Sequence, residues 1–115
     1  MIRLLAAGAA LVLASCGPPE MPHRTVIIGA TLIVPDRPPV ENAVVIVEAG
    51  RIRAAGVQRD VPIPAGSEKV NAAGQFLAAA EGAVIEPGQT ANLDLRGRPE
   101  GPPLRRMRQG VWITP

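Results

Sequence analysis

The chain has 115 residues, and its 12 basic and 10 acidic side chains give a net charge of +2 at pH 7. That balance argues against a protein that binds nucleic acid through a general basic excess. Phe76 and Trp112 are the only aromatic residues, too few for a surface on which bases could stack. The 12 glycines and 13 prolines favour short strands and loops over helices.

The amino end has the pattern of a secretory signal peptide. Arg3 gives a positively charged start, and the apolar run 4–14 that follows is well short of the roughly 20 apolar residues of a transmembrane helix. The sequence LASC at 13–16 resembles the bacterial lipobox. This resemblance implies cleavage between Ser15 and Cys16 and attachment of diacylglycerol to Cys16, so membrane lipid is the predicted partner.

Three segments follow from this pattern. Residues 1–15 are predicted to be a helical signal peptide, 16–23 a lipidated, proline-rich tether, and 24–115 a β domain. Cleavage removes 15 of the 115 residues, and the remaining 100 suit one small domain with a modest core. Cys16 is the only cysteine, so no internal disulfide can form. Gly17, by resemblance to the sorting of proteobacterial lipoproteins, favours the outer membrane, facing the periplasm.

The β domain consists of short strands between turn signals. Gly29 within the first strand predicts a bulge or a close approach of two backbones, and Glu86-Pro87-Gly88-Gln89 fits a type II turn. No helix of ten residues is expected after the signal, so the predicted fold class is all-β, a small sandwich or a curled open sheet. The predicted elements are a strand at 25–34, a hairpin over 42–56 turning at Ala49-Gly50, strands at 69–71, 75–78, 83–85 and 91–95, and a last hairpin over 105–113 turning at Gln109-Gly110.

The apolar members of these alternating runs are the predicted core. They are Val26, Ile28, Leu32, Val45, Val47, Ile52, Val70, Phe76, Ile85, Leu93, Leu95 and Trp112.

Two segments resemble the small β domain of the amidohydrolase superfamily, a group of metal-dependent hydrolases. The first contains GATLI, VVIVEAGRIRAAG and PAGSEKVNAAGQFL, and the second is GAVIEPGQTANLDL, with Asn92 where aspartate is usual. The resemblance implies that amino- and carboxyl-terminal strands form one sheet around an inserted (β/α)8 barrel of roughly 250 residues. Here Ala78–Gly82 stands where the barrel and its His-x-His ligands would begin. The chain is therefore interpreted as the sheet domain with the barrel deleted.

The residue inventory predicts no catalytic residue, no metal ligand and no cofactor. His23 is the only histidine, and a zinc site takes several converging ligands. Arginines near the carboxyl end are interpreted as a solvated face, with contact to anionic lipid headgroups as the alternative. These arginines are Arg96, Arg98, Arg105, Arg106 and Arg108.

Four functions remain open at this point. The favoured hypothesis is a membrane-anchored, non-catalytic amidohydrolase-like lipoprotein of the bacterial cell envelope, which acts in binding or structure. The second is an accessory subunit of a separate barrel-bearing amidohydrolase. The third is a hydrolase in its own right, against which the lack of metal ligands argues. The fourth is a deletion remnant of a metal-dependent hydrolase acting on C–N bonds. No nucleic-acid partner is expected.

Overall fold

The computed structural model describes residues 23–113, and this part of the chain is all-β. Eight strands form one open sheet in the order β3-β2-β1-β5-β6-β7-β8, and β4 pairs with β1 beside this path. The predicted fold class is confirmed in its open-sheet form. The strands are β1 Arg24–Ile33, β2 Val40–Glu48, β3 Arg51–Val57, β4 Glu68–Asn71, β5 Phe76–Ala79, β6 Leu93–Arg96, β7 Pro103–Arg108 and β8 Val111–Ile113.

The helical content of residues 23–113 is a single 3-10 turn, Gln58–Asp60. Accordingly, no helix in this range has the length or apolar character to cross a membrane. The predicted signal peptide, 1–15, and all but the last residue of the predicted tether, 16–23, lie outside the described residues.

Strand β1 is shared by both halves of the sheet. One edge pairs antiparallel with β2, while on the other edge 25–28 pairs in parallel with β4 and 31–33 in parallel with β5. Gly29 lies between these two parts at φ +89°, where the register with β2 shifts. A Cβ at Gly29 would lie 3.3 Å from the backbone of Ala73. The glycine therefore provides both the left-handed conformation and the close approach, and the predicted bulge is confirmed.

The bulge reverses which side chains of β1 face the main core. Ile27, Ala30 and Leu32 are buried there, whereas Val26 and Ile28 belong to a smaller cluster on the opposite face. The expectation that Val26, Ile28 and Leu32 share one core is therefore wrong, because one extra residue shifts the two-residue alternation of a strand. The other members of the smaller cluster are Val44, Ile46, Ala54, Val61 and Ile63.

Most of the remaining core prediction is confirmed. Phe76 is the exception: it lies outside both clusters, and its neighbour Leu77 is fully buried instead. Val70 and Trp112 are half-buried against the main core. The predicted residues that the main core does bury are Leu32, Val45, Val47, Ile52, Ile85, Leu93 and Leu95.

Two tight hairpins form at the predicted positions. β2 and β3 are joined by Ala49-Gly50, with φ values of +53° and +80°, and β7 and β8 by Gln109-Gly110, with +52° and +80°. Two consecutive residues with positive φ make a type I′ turn, whose twist matches that of the strands it joins.

The two halves of the sequence join directly in one core. β5 pairs antiparallel with β6, and Leu77 lies opposite Leu95. The connection begins with a turn in which the Ala83 N–H donates to the Ala80 carbonyl at 2.8 Å. The strand predicted at 83–85 does not form, because that N–H is used in the turn and Ile85 is drawn into the main core.

The segment 86–91, which follows this connection, packs against β3 and the two hairpin turns. The turn at Glu86–Gln89 has Gly88 at φ +91° and a bond from the Gln89 N–H to the Glu86 carbonyl at 3.1 Å, as predicted for type II. It docks on β3, where the Ile52 N–H donates to the Gln89 carbonyl at 2.8 Å and the Ile52 carbonyl accepts from the Gly88 N–H at 2.7 Å.

The same segment connects the two hairpin turns. The Ala91 N–H donates to the Gly50 carbonyl at 2.9 Å, and the Ala91 carbonyl accepts from the Gly110 N–H at 3.0 Å. The turn of the first hairpin thus contacts the turn of the last one, although β3 and β8 are at opposite ends of the strand order.

Gly110→Ala is expected to destabilise the domain more than Gly74→Ala, although both glycines have φ +80°. The left-handed conformation costs an L-residue about 1–2 kcal/mol at either position. At Gly110 the new Cβ would also lie 2.7 Å from the Cα of Gly50, whereas at Gly74 it meets no atom within 4 Å. We expect the clash to add ~1–3 kcal/mol, measured as the difference in free energy of unfolding in urea. Equal values for the two variants would contradict the contact between the turns.

Candidate functional site

The residues predicted for lipidation and cleavage, Cys16 and Ser15, lie outside the described residues, so both remain predictions. Within residues 23–113, no group of three or more His, Cys, Asp or Glu side chains is close enough to hold a metal ion. The charged side chains instead meet in three clusters, beside His23, around Glu48 and around Asp94, and in one exposed pair, Arg59 with Asp60.

His23 immediately precedes β1, and its side chain is exposed. Its Nε2 is 3.2 Å from the Thr25 hydroxyl and 3.8 Å from a carboxylate oxygen of Glu68. In a catalytic triad the hydroxyl and the carboxylate contact opposite nitrogens of the imidazole ring. Here both contact the same nitrogen, so the arrangement cannot carry a proton from the hydroxyl through the ring to the carboxylate.

Glu48, at the end of β2, is held by two arginines from neighbouring strands. Arg24 Nε donates to one carboxylate oxygen at 2.7 Å and Arg53 Nη1 to the other at 3.0 Å. The hydrogen bond from Arg24, with the charges of Arg24 and Arg53, lowers the pKa of Glu48 below its usual 4.5 despite partial burial. The cluster therefore fixes an ionised carboxylate across β1, β2 and β3.

Glu48→Gln is expected to destabilise the protein at neutral pH and to have less effect in acid. Because the folded state lowers the pKa of Glu48, the ionised carboxylate stabilises the fold fully above pH 4.5, and this stabilisation is lost as pH falls through the lower folded value. Urea unfolding of wild type and variant across this pH range gives the measurement. Glu41→Gln, which changes an exposed carboxylate on the same strand, is the matched control. A wild-type-to-variant difference that stays constant with pH would contradict the ion-pair geometry.

Asp94 occupies the centre of the third cluster, on β6. It is 8% exposed, and its carboxylate lies 3.1 Å from Arg108 Nη1 and 3.9 Å from Arg96 Nη2. Arg108 Nη1 also donates to the carbonyls of Leu93 at 3.2 Å and Met107 at 2.8 Å. The carboxylate and the two carbonyls therefore hold this guanidinium in one orientation.

The carboxyl-terminal arginines do not form one solvated face. Arg96, Arg106 and Arg108 are half-buried beside Asp94, whereas Arg105 lies over the ring of Trp112, 4.0 Å from its centroid. The solvated-face interpretation is therefore corrected for the three half-buried arginines. Finding this cluster from sequence requires the pairing of β6 with β7, because Asp94 and Arg106 meet only through that register.

A cavity of about 310 Å³ lies at the junction of the two halves. Its charged lining residues are Glu81, which is exposed, and Arg108, which already binds Asp94. Catalysis by acid and base requires groups that converge on a substrate with suitable pKa values. This lining provides no such pair.

No family model matches the chain, and a search of curated proteins finds no match. Among solved structures, one described as the structural and catalytic characterization of molinate hydrolase aligns at 24% identity and a TM-score of 0.46. The alignment covers 53% of this chain and 13% of that one, so the overlap is partial on both sides.

Proposed function

We propose that the protein is a lipid-anchored, non-catalytic β domain of the bacterial cell envelope that acts by binding or as a structural element. The observation that carries the proposal is that the two least exposed carboxylates of residues 23–113 are both bound by arginines. Glu48 and Asp94 are each engaged by two arginines within the domain itself. Both carboxylates serve the fold rather than a substrate.

The environment of Glu48 is the opposite of what acid–base catalysis favours. A catalytic carboxylic acid has its pKa raised toward neutral pH by burial away from cations. The pKa of Glu48 is lowered instead, and the carboxylate of Asp94 has arginine nitrogens on both of its oxygens. Together with the single histidine, these contacts support a domain without hydrolytic activity.

The amino end of the domain is suited to an anchor. His23 is the last residue of the predicted tether, and its carbonyl accepts a hydrogen bond from the Ala49 N–H at 3.4 Å. The chain then enters β1, where Arg24 binds Glu48. A membrane tether on Cys16 would therefore pull directly on the strand with the most pairing partners in the sheet.

The proposal includes descent from an amidohydrolase-like sheet domain whose barrel is absent. Two segments that resemble that domain, one ending before residue 80 and one beginning at Gly82, contribute to the same core. Ala80–Ala83 connects them through a single turn. Because the two segments complete one core by themselves, the domain does not need a barrel for its fold, and this supports the proposal that it acts without one.

We expect the purified chain to hold no stoichiometric metal after dialysis and to hydrolyse none of a panel of cyclic amides, ureas and dipeptides. The reason is that a zinc site takes three or four converging ligands, and the polar side chains that His23 contacts within residues 23–113 are those of Thr25 and Glu68. Elemental analysis and product assays provide the measurement. Bound zinc together with turnover that His23→Ala abolishes would overturn the proposal.

Cys16→Ser is expected to leave the protein uncleaved or to release it from membranes, since serine cannot carry the thioether-linked lipid. Membrane fractionation and mass spectrometry of wild type and variant provide the measurement. Ser67→Ala, which changes a loop hydroxyl bonded to the Pro64 carbonyl, is the control for expression. Wild-type protein with an intact Met1 or an unmodified Cys16 would contradict the anchor.

A further inference from the structure

The outer face of β6, β7 and β8, opposite the main core, combines arginines with exposed aliphatic side chains. The register places Asp94 opposite Arg106 and Arg106 opposite Ile113, so these three form one row across the strands. Arg108 lies opposite Val111 in the next row of the same face. We call this surface the arginine–aliphatic face; it consists of Asp94, Arg96, Arg106, Arg108, Val111 and Ile113.

This face has charge and apolar area available to a partner. Three arginines surround one aspartate, which leaves an excess of positive charge, and Arg106 forms no ion pair with any residue in 23–113. Val111 is 62% and Ile113 42% exposed. The smaller apolar cluster, which covers β1 and β2 with residues of the loop after β3, does not include this part of the sheet.

Arg108 is also held in position for binding. Every hydrogen bond that Arg108 makes within residues 23–113 uses Nη1. Its Nε and Nη2 are left for another acceptor, and Asp94 fixes the plane of the guanidinium. Because the side chain is already ordered, less conformational entropy is lost when it binds an anion.

We infer that the arginine–aliphatic face docks on anionic phospholipid headgroups. Guanidinium groups bind phosphate oxygens in pairs, and aliphatic side chains next to them can enter the boundary between headgroups and acyl chains. A second copy of the chain is disfavoured, since two such faces would bring like charges together. The arrangement of Arg106, Arg108, Val111 and Ile113 thus matches a surface that is anionic above and apolar beneath.

The short distance to the membrane also favours phospholipid as the partner of this face. This argument rests on the proposed anchor at Cys16. Residues 17–23 separate the anchor from β1, and seven residues span at most about 25 Å when extended. The domain is therefore held within about its own size of the headgroups. At that distance the bilayer is the anionic surface that the face meets most often.

The test uses the mature acylated protein in nanodiscs made of phosphatidylcholine with or without phosphatidylglycerol. Amide hydrogen exchange is compared between β8, 111–113, and β2, 40–48. We expect exchange in β8 to be several-fold slower in the anionic discs, with no such change in β2, and we expect high salt to remove the difference.

Variants test whether docking depends on the arginine–aliphatic face itself or only on the net charge of the protein. Arg106→Gln should lower the ratio of docked to undocked protein about fivefold, the contribution of one arginine near an anionic surface. Arg59→Gln removes the same charge from the exposed 3-10 turn and should leave the ratio unchanged. Val111→Thr with Ile113→Thr keeps the β-branched shape of both residues and should also weaken docking. Urea unfolding confirms that each variant is folded.

Equal exchange of β8 in both kinds of disc would overturn the inference while leaving the anchor intact. Slow exchange of β8 in native membranes, but not in discs that contain phosphatidylglycerol, would also overturn it, in favour of a protein partner. If mass spectrometry shows an unmodified Cys16, the proposed function fails separately. The same exchange measurement on protein added to preformed discs then tests the face without its anchor.

Discussion

Strand β1 pairs with three other strands, and the bulge at Gly29 divides it into one part beside β4 and another beside β5. Ile27 on one side of the bulge and Ala30 and Leu32 on the other all face the main core. Because the bulge also bends a strand and increases its twist, β1 can serve both halves of a curled sheet. The common core, the connection at 80–83 and the outer face of β6–β8 all depend on this one change of direction.

Features set by local chemistry were predictable from the sequence. Asn and Gly are the usual residues of a type I′ turn, and Ala49-Gly50 and Gln109-Gly110 each retain the glycine between alternating runs. The Pro87-Gly88 turn followed from the φ values that each residue favours. By contrast, the pairing of β1 with β4 and β5 is parallel and joins residues about 45 apart. No short-range pattern specifies such a pairing. The prediction of one core face for Val26, Ile28 and Leu32 is wrong for a local reason, since the bulge at Gly29 adds one residue and shifts the side-chain alternation.

The functional residues likewise divide into those that a local motif predicts and those that long-range pairing brings together. The predicted anchor depends only on local patterns, namely the charged start, the apolar run 4–14 and LASC at 13–16, and on nothing in the fold. In the sequence, Asp94, Arg96, Arg106 and Arg108 are charged residues at alternate positions of two short segments, and nothing local indicates that they meet. Their meeting depends on the register of β6 with β7, including the shift between Leu95 and Arg96. Glu48 likewise draws its two arginines from different strands, 24 and 5 residues away.

The contact between the hairpin turns at Gly50 and Gly110 has a consequence for biosynthesis. Gly110 follows Gly50 by 60 residues in the sequence, and until that stretch has been synthesised the Gly50 turn lacks the neighbour that holds it in place. β6, β7 and β8 likewise reach β1 only through β5, after long loop closures that slow folding. The core therefore cannot close until both hairpins have been synthesised. For a chain predicted to leave the cytoplasm, such delayed folding keeps the polypeptide extended during the interval in which it is exported.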